Sequence, residues 1–207
     1  MRTAVTLSLL LTGIATCAAA ADATFIDKAD VAKVLASAPS GDHTMRVLDM
    51  GSYQLSVAVD HRAPTAPSGA APAAATGAPA AKPEPCGATA MPANAGEGVR
   101  GMIYHDVTSE TYIITEGGGT ILTGGQIVNG GRVAAASDVT KLQGPSCSGL
   151  AYGPVTRRAM KVGDIVVIPA GVPHGWSDLS PTGVTYLSVR PDTTKVLSQR
   201  YVNPALK

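Results

Sequence analysis

The most constraining stretch of this chain runs from Gly163 to Asp178, where a short β-branched run, Ile165 to Ile168, is closed by Pro169-Ala170-Gly171 and followed at once by His174. Such a run between turn residues predicts a buried strand. Pro169 fixes φ and Gly171 tolerates φ > 0, so the chain can reverse and aim His174 back across a sheet. A turn of this kind ending in an imidazole points to a site.

The rest of the chain is consistent with strands. With 23 Gly, 15 Pro and abundant Val, Ile and Thr, the composition argues against a helical bundle or a βαβ protein. Period-two alternation from Tyr53 predicts a half-buried strand, with Tyr53, Leu55, Val57, Val59 and His61 on its apolar face. His61 is then either a spare ligand at a cavity mouth or a histidine satisfied at a strand end. Further strands are expected over Gly101 to His105, Glu110 to Thr115, Thr120 to Thr123 and Val184 to Val189, with Gly117-Gly118-Gly119 as a turn. Alternation places Ile103 with His105, and Glu110 with Tyr112 and Ile114, each set on one strand face. One short helix is expected from an Asp27 cap to about Ser37, with Val31, Val34 and Leu35 on one side. Residues 129–161 read as irregular; their Arg157-Arg158 pair is either a carboxylate clamp or a solvated surface pair.

The N-terminus sets the expected compartment. Met1-Arg2-Thr3, an apolar run from Ala4 to Ala15 and small residues at Ala18 to Ala23 have the form of a secretory signal peptide over 1–21, too short for a convincing membrane span. Export to the periplasm or medium is the resulting expectation, with no membrane span after signal removal. Cys86 and Cys147 then remain, either as one disulfide or as two surface thiols. Residues 63–99, dominated by Ala, Pro, Gly and Thr, read as a disordered insertion. The resulting division is signal 1–21, helix and first strands 22–62, insertion 63–99, barrel core 100–190 and tail 191–207. A formal net charge of +1 with no basic cluster gives no support to nucleic-acid binding.

The Gly163 to Asp178 stretch resembles the second motif of the cupin superfamily, G(X)5PXG(X)2H(X)3N. Gly163, Pro169, Gly171 and His174 match, and Asp178 stands where the family has Asn. The first motif, G(X)5HXH(X)3,4E(X)6G, is met by His105, Glu110 and Gly117, with Ile103 in place of its first histidine and Glu97 in place of its first glycine. The resemblance covers roughly the second half of the chain. It implies an all-β, small cupin barrel (a double-stranded β-helix or jelly roll) with one short N-terminal helix. It also implies a divalent metal (Fe, Mn, Zn, Ni or Cu) on His105, Glu110 and His174. Ile103 lowers the expected affinity and keeps an empty site open as the alternative; Glu110 would then be a buried acid with a raised pKa and a general-base role.

Three functions follow from the resemblance: a metal-dependent oxygenase, lyase or isomerase for a small oxygenated metabolite, a non-catalytic binder of a sugar or organic acid, or a structural barrel with a vestigial site. Whether the chain is an enzyme is left open among them. A small molecule is the expected partner, and cupins often form dimers through their sheets, which makes a homodimer the macromolecular one. Trp176 and Tyr112 are expected as pocket wall.

Overall fold

The computed structural model describes residues 22–38, 40–64 and 83–207. The expected signal peptide and residues 65–82 of the expected insertion lie outside them. In chain order the elements are α1 (Lys28–Ser37), β1 (Gly41–Asp49), β2 (Gln54–Arg62), β3 (Pro85–Cys86), β4 (Val99–His105), β5 (Glu110–Ile127), β6 (Gly130–Arg132), α2 (Asp138–Gln143), β7 (Ser146–Lys161), β8 (Ile165–Ile168), β9 (His174–Ser177), β10 (Val184–Asp192) and a short 3-10 turn (Pro204–Leu206). Among the described residues no helix is long and apolar enough to cross a membrane.

Every pairing between these strands is antiparallel. One layer runs β1-β2-β10-β5-β8, and the other joins β3, β6, β7, β4 and β9 to the far half of β5. The pairings β4–β9, β9–β5, β5–β7 and β7–β4 close on one another, so these four strands form a ring. The architecture is a jelly roll.

Strand β5 belongs to both layers. Residues 110–116 pair with β8 and β10, and from Gly118 onward the strand pairs with β7 and β9. The turn expected at Gly117-Gly118-Gly119 is therefore a bend inside one strand. Gly117 takes φ 64°, and a Cβ there would stand 2.0 Å from the Gly183 carbonyl oxygen, so the crossing needs a residue without a side chain.

Several other expectations change for equally local reasons. Residues 129–161 hold β6, α2 and the long β7; glycines and Pro154 had hidden the strand period. Helix α2 is capped by Ser137, whose Oγ accepts from Thr140 N at 3.2 Å, so the fold has a second helix. Strand β8 is buried on one face only: Ile168 and Val166 join the core, while Ile165 and Val167 are 62% and 65% exposed. In β2 the face read as polar points inward, with Gln54, Ser56, Ala58 and Asp60 all buried.

The opposite face of β2 is covered because α1 lies over it. Val34, fully buried, packs with Met45 and Val59, flanked by Val31, Leu35, Val57 and Leu206. Burial of a side chain of this size contributes about 1.5–3 kcal/mol. The 191–207 tail is also structured: Asn203 Nδ2 donates to the Thr44 carbonyl and Val47 N to the Tyr201 carbonyl, which ties the tail along β1.

Cys86 and Cys147 form a disulfide across 61 residues of sequence, joining β3 to β7. Residues 83–99 are thus partly ordered, contrary to the expected insertion over 63–99. Beyond the bridge, β3 pairs with β6, and Ala88 N donates to the Ile127 carbonyl. Closing a loop of this length removes unfolded-chain entropy worth about 4 kcal/mol. Reduction, or Cys86→Ala with Cys147→Ala, is expected to lower the urea midpoint by the equivalent of about 2–4 kcal/mol; an unchanged midpoint would contradict that role.

Candidate metal centre and its cavity

The three expected ligands come from three strands and meet inside the jelly roll. His105 ends β4, Glu110 opens β5 and His174 opens β9. The turn between β8 and β9 makes this possible: Gly171 takes φ 77°, and its N–H donates to the His105 carbonyl oxygen at 2.8 Å. That bond fixes the turn to the end of β4, and Ile103 pairs directly with His174. Asp178 closes the motif at φ 49°, a left-handed conformation that Asn and Asp tolerate better than most residues.

Ligand atoms of the three residues all lie within 4.8 Å of one another. His174 Nε2 is 2.9 Å from Glu110 Oε2, and His105 Nε2 is 3.5 Å from Glu110 Oε1. All three side chains are buried. The far nitrogens settle the tautomers. His174 Nδ1 lies 3.0 Å from the Val172 carbonyl oxygen, which can only accept, so Nδ1 carries the proton. His105 Nδ1 lies 2.7 Å from Ser146 Oγ, whose own hydroxyl donates to the Gly144 carbonyl, so His105 Nδ1 is again the donor.

Both Nε2 atoms therefore face the Glu110 carboxylate. Acceptors facing one another at such distances require a cation or a proton between them. This is the arrangement in which imidazoles serve as metal ligands, each oriented by an acceptor on its second nitrogen. The donor set fits a divalent ion.

Strand β10 supplies what the sequence reading missed. Arg190, almost fully buried, donates through Nε to Glu110 Oε1 and through Nη2 to Asp42 Oδ2, and Asp60 Oδ2 lies 3.9 Å away. Tyr112 Oη donates to Glu110 Oε2. Burial alone would raise the Glu110 carboxyl, but Arg190 and the two histidines outweigh it and hold the group well below the usual carboxylate range. The raised pKa expected for a metal-free Glu110 is thereby corrected. Asp60 moves the other way: burial and then Asp42 push its carboxyl well up. Three carboxylates thus surround Arg190.

The triad opens on a cavity of about 530 Å3 lined by Ile103, Tyr112, Trp176 and Tyr186 among others. Ile103, at the position of the missing histidine, is part of its apolar wall. Tyr112 and Trp176 are wall residues as expected, with the Tyr112 and Tyr186 rings 4.4 Å apart and the Trp176 and Tyr186 rings 5.5 Å apart. His61 does not reach this cavity; its Nδ1 contacts Thr185 Oγ1 at 3.0 Å. Arg157 and Arg158 are exposed on β7 and also lie outside it. Arg190 and Asp60 were legible in principle, since each is in phase with buried neighbours on its strand, Tyr186 and Ser188 in one case and Ser56 and Ala58 in the other.

His105, Glu110, Gly171 and His174, from the two motifs, meet in this one corner. The fold is a jelly roll, the architecture that the resemblance implies. No protein-family model matches the sequence, and no curated protein does. Among solved structures the chain is similar to protein BH2720 from Bacillus halodurans, at 12% identity over 86% of this chain and 85% of that one with a TM-score of 0.37. It is similar to the cupin protein BF4112 from Bacteroides fragilis, at 13% identity over 72% and 75% with a TM-score of 0.29. An oxalate oxidase in complex with glycolate is similar at 12% identity over 76% of this chain and 54% of that one, with a TM-score of 0.34. Likeness at this level says nothing about chemistry.

Burial, opposed in part by Glu110, lowers the His105 pKa from 6.5 to about 4. The unfolded chain therefore binds this proton first, so metal-free protein is expected to lose stability as pH falls from 6.5 toward 4, by roughly 3 kcal/mol from this group. The depressed Glu110 acts in the same direction at lower pH, its contribution being lost as pH falls through its folded pKa. Melting temperature against pH, compared with His105→Gln, checks this: the variant's curve should be flatter between pH 6.5 and 4.

Proposed function

We propose that the chain is an exported cupin that holds a divalent metal ion on His105, Glu110 and His174. In this reading it acts on a small oxygenated metabolite in the adjoining cavity, through oxygenase, lyase or isomerase chemistry. The observation that carries the reading is the pair of Nε2 atoms facing one buried carboxylate, with both Nδ1 atoms already committed elsewhere. A bound ion would supply Lewis acidity or redox chemistry at a substrate oxygen. The chain's own residues would orient the ligands: Ser146 and the Val172 carbonyl fix the rings, while Arg190 and Tyr112 fix the carboxylate. The catalytic role expected of Glu110 is in this reading that of an ionised ligand, since Arg190 and Tyr112 already engage its two oxygens. The Cys86–Cys147 bridge supports an oxidising compartment, hence a periplasmic or secreted location.

A second reading has its own support. Arg190 already neutralises Glu110, and Ile103 removes a ligand, so a metal-free barrel that binds a small molecule without turnover is consistent with the same site. Elemental analysis separates the two. Protein purified from an oxidising compartment without chelator or affinity metal is expected to carry near-stoichiometric metal, with His174→Ala and Glu110→Gln both losing it. Metal absent from the parent even after reconstitution would overturn the metal-dependent reading in favour of the binding one.

A further inference from the structure

Arg62 is the one arginine or lysine lining the cavity among the described residues, and its position differs from that of Arg190 in a decisive way. The Arg190 side chain is 1% exposed and fully engaged by carboxylates; that of Arg62 is 42% exposed. Arg62 is nonetheless held on one side. Its Nε donates to Tyr186 Oη at 3.3 Å, and one terminal nitrogen stands 3.6 Å from Asp60, which is fully buried. A guanidinium has five N–H donors, so among the described residues most of this fork is unengaged and already oriented.

Two adjacent tyrosines, their rings tilted by 40°, relate this arginine to the metal triad. Tyr112 Oη is bonded to Glu110 and Tyr186 Oη to Arg62, and the two rings are 4.4 Å apart. One wall of the cavity therefore runs from the triad across two aromatic rings to a cation, with Ile103 and Trp176 adding apolar surface. Asp42, the nearer acid on the lining, is taken up by Arg190. Asp138 is the other, and its charge disfavours a second anionic group on the ligand.

We infer that Arg62 is the recognition site for the carboxylate of a small monocarboxylic acid, whose apolar or aromatic body lies along the Tyr186, Tyr112 and Trp176 wall toward His105, Glu110 and His174. This deepens the proposed function, since it names the substrate class of the same cavity, but the anchor is independent of any metal. A planar, partly desolvated guanidinium takes a carboxylate through two parallel N–H bonds, which neither an ester nor an amide can match. The high carboxyl pKa of Asp60 leaves the Arg62 charge incompletely compensated and works in the same direction.

Trp176 is the chain's only tryptophan and lines this cavity, so its fluorescence reports occupancy directly. The probes are benzoate, phenylacetate, 4-hydroxybenzoate and 4-methyl-2-oxopentanoate, each beside its amide, titrated into metal-free and Co2+-treated protein. At least one acid is expected to change the emission saturably in both forms, its amide binding about tenfold or more weakly. Arg62→Met should lose that affinity by a similar factor and Arg62→Lys should recover part of it, with Co2+ binding and melting temperature kept near the parent's. No acid binding by millimolar concentration, equal binding of acid and amide, or unchanged affinity in Arg62→Met would each overturn the inference. So would binding that needs Co2+ and is lost in His174→Ala, because the carboxylate would then sit on the metal. Acid binding without any Co2+ uptake would remove the metal-dependent reading and leave this one standing.

Discussion

The carboxylate of Glu110 is 1% exposed, and the organisation of the interior follows from what must surround it. An ion out of water needs a counter-charge and hydrogen bonds on its remaining lone pairs, and removing one partner of such a pair costs about 3–5 kcal/mol. Arg190 meets that need from β10, and Tyr112 and His174 contribute from β5 and β9. Because Arg190 carries its own buried charge, it draws in Asp42 from β1 and Asp60 from β2. One acid at the start of β5 thus fixes polar residues on four other strands, which explains why the inward face of β2 is polar while its outward face is apolar and covered by α1.

The same network places three carboxylates around Arg190. The ring orientations are set before any ligand arrives, because Ser146 and the Val172 carbonyl hold the two Nδ1 atoms. Ser146, which orients His105, precedes Cys147 of the disulfide, so the covalent tie to β3 also anchors the second-nitrogen acceptor of one ligand.

Much of the candidate centre was legible because it is local. The spacing from His105 to Glu110 and the Pro169-to-His174 turn are short-range patterns, and a turn that demands φ > 0 at Gly171 leaves a strong mark in sequence. Signals depending on a partner strand were misread. Gly117 to Gly119 have the composition of a turn, yet neighbours on β7 and β10 turn them into a bend in a continuous strand. The apolar phase of β2 identified a covered face correctly but not the side on which the barrel interior lies, since α1 covers the outer side as fully as the barrel fills the inner one. His61 followed that phase outward, away from the cavity.

By itself the sequence determined an antiparallel β fold, the two turns that deliver His174, a set of two imidazoles and one carboxylate, and a pair of cysteines able to bridge. The fold class, the turns and the cysteines follow from composition, alternation and turn chemistry, and the ligand set from the resemblance to the cupin motifs; all of these act over a few residues. Tertiary structure alone decided that Arg190 and Asp60 are interior, that Arg62 rather than Arg157 or Arg158 faces the cavity, and that Cys86 reaches Cys147. Each of those outcomes depends on register between strands far apart in sequence, and a period of two specifies the faces of a strand without specifying which face its neighbours will enclose.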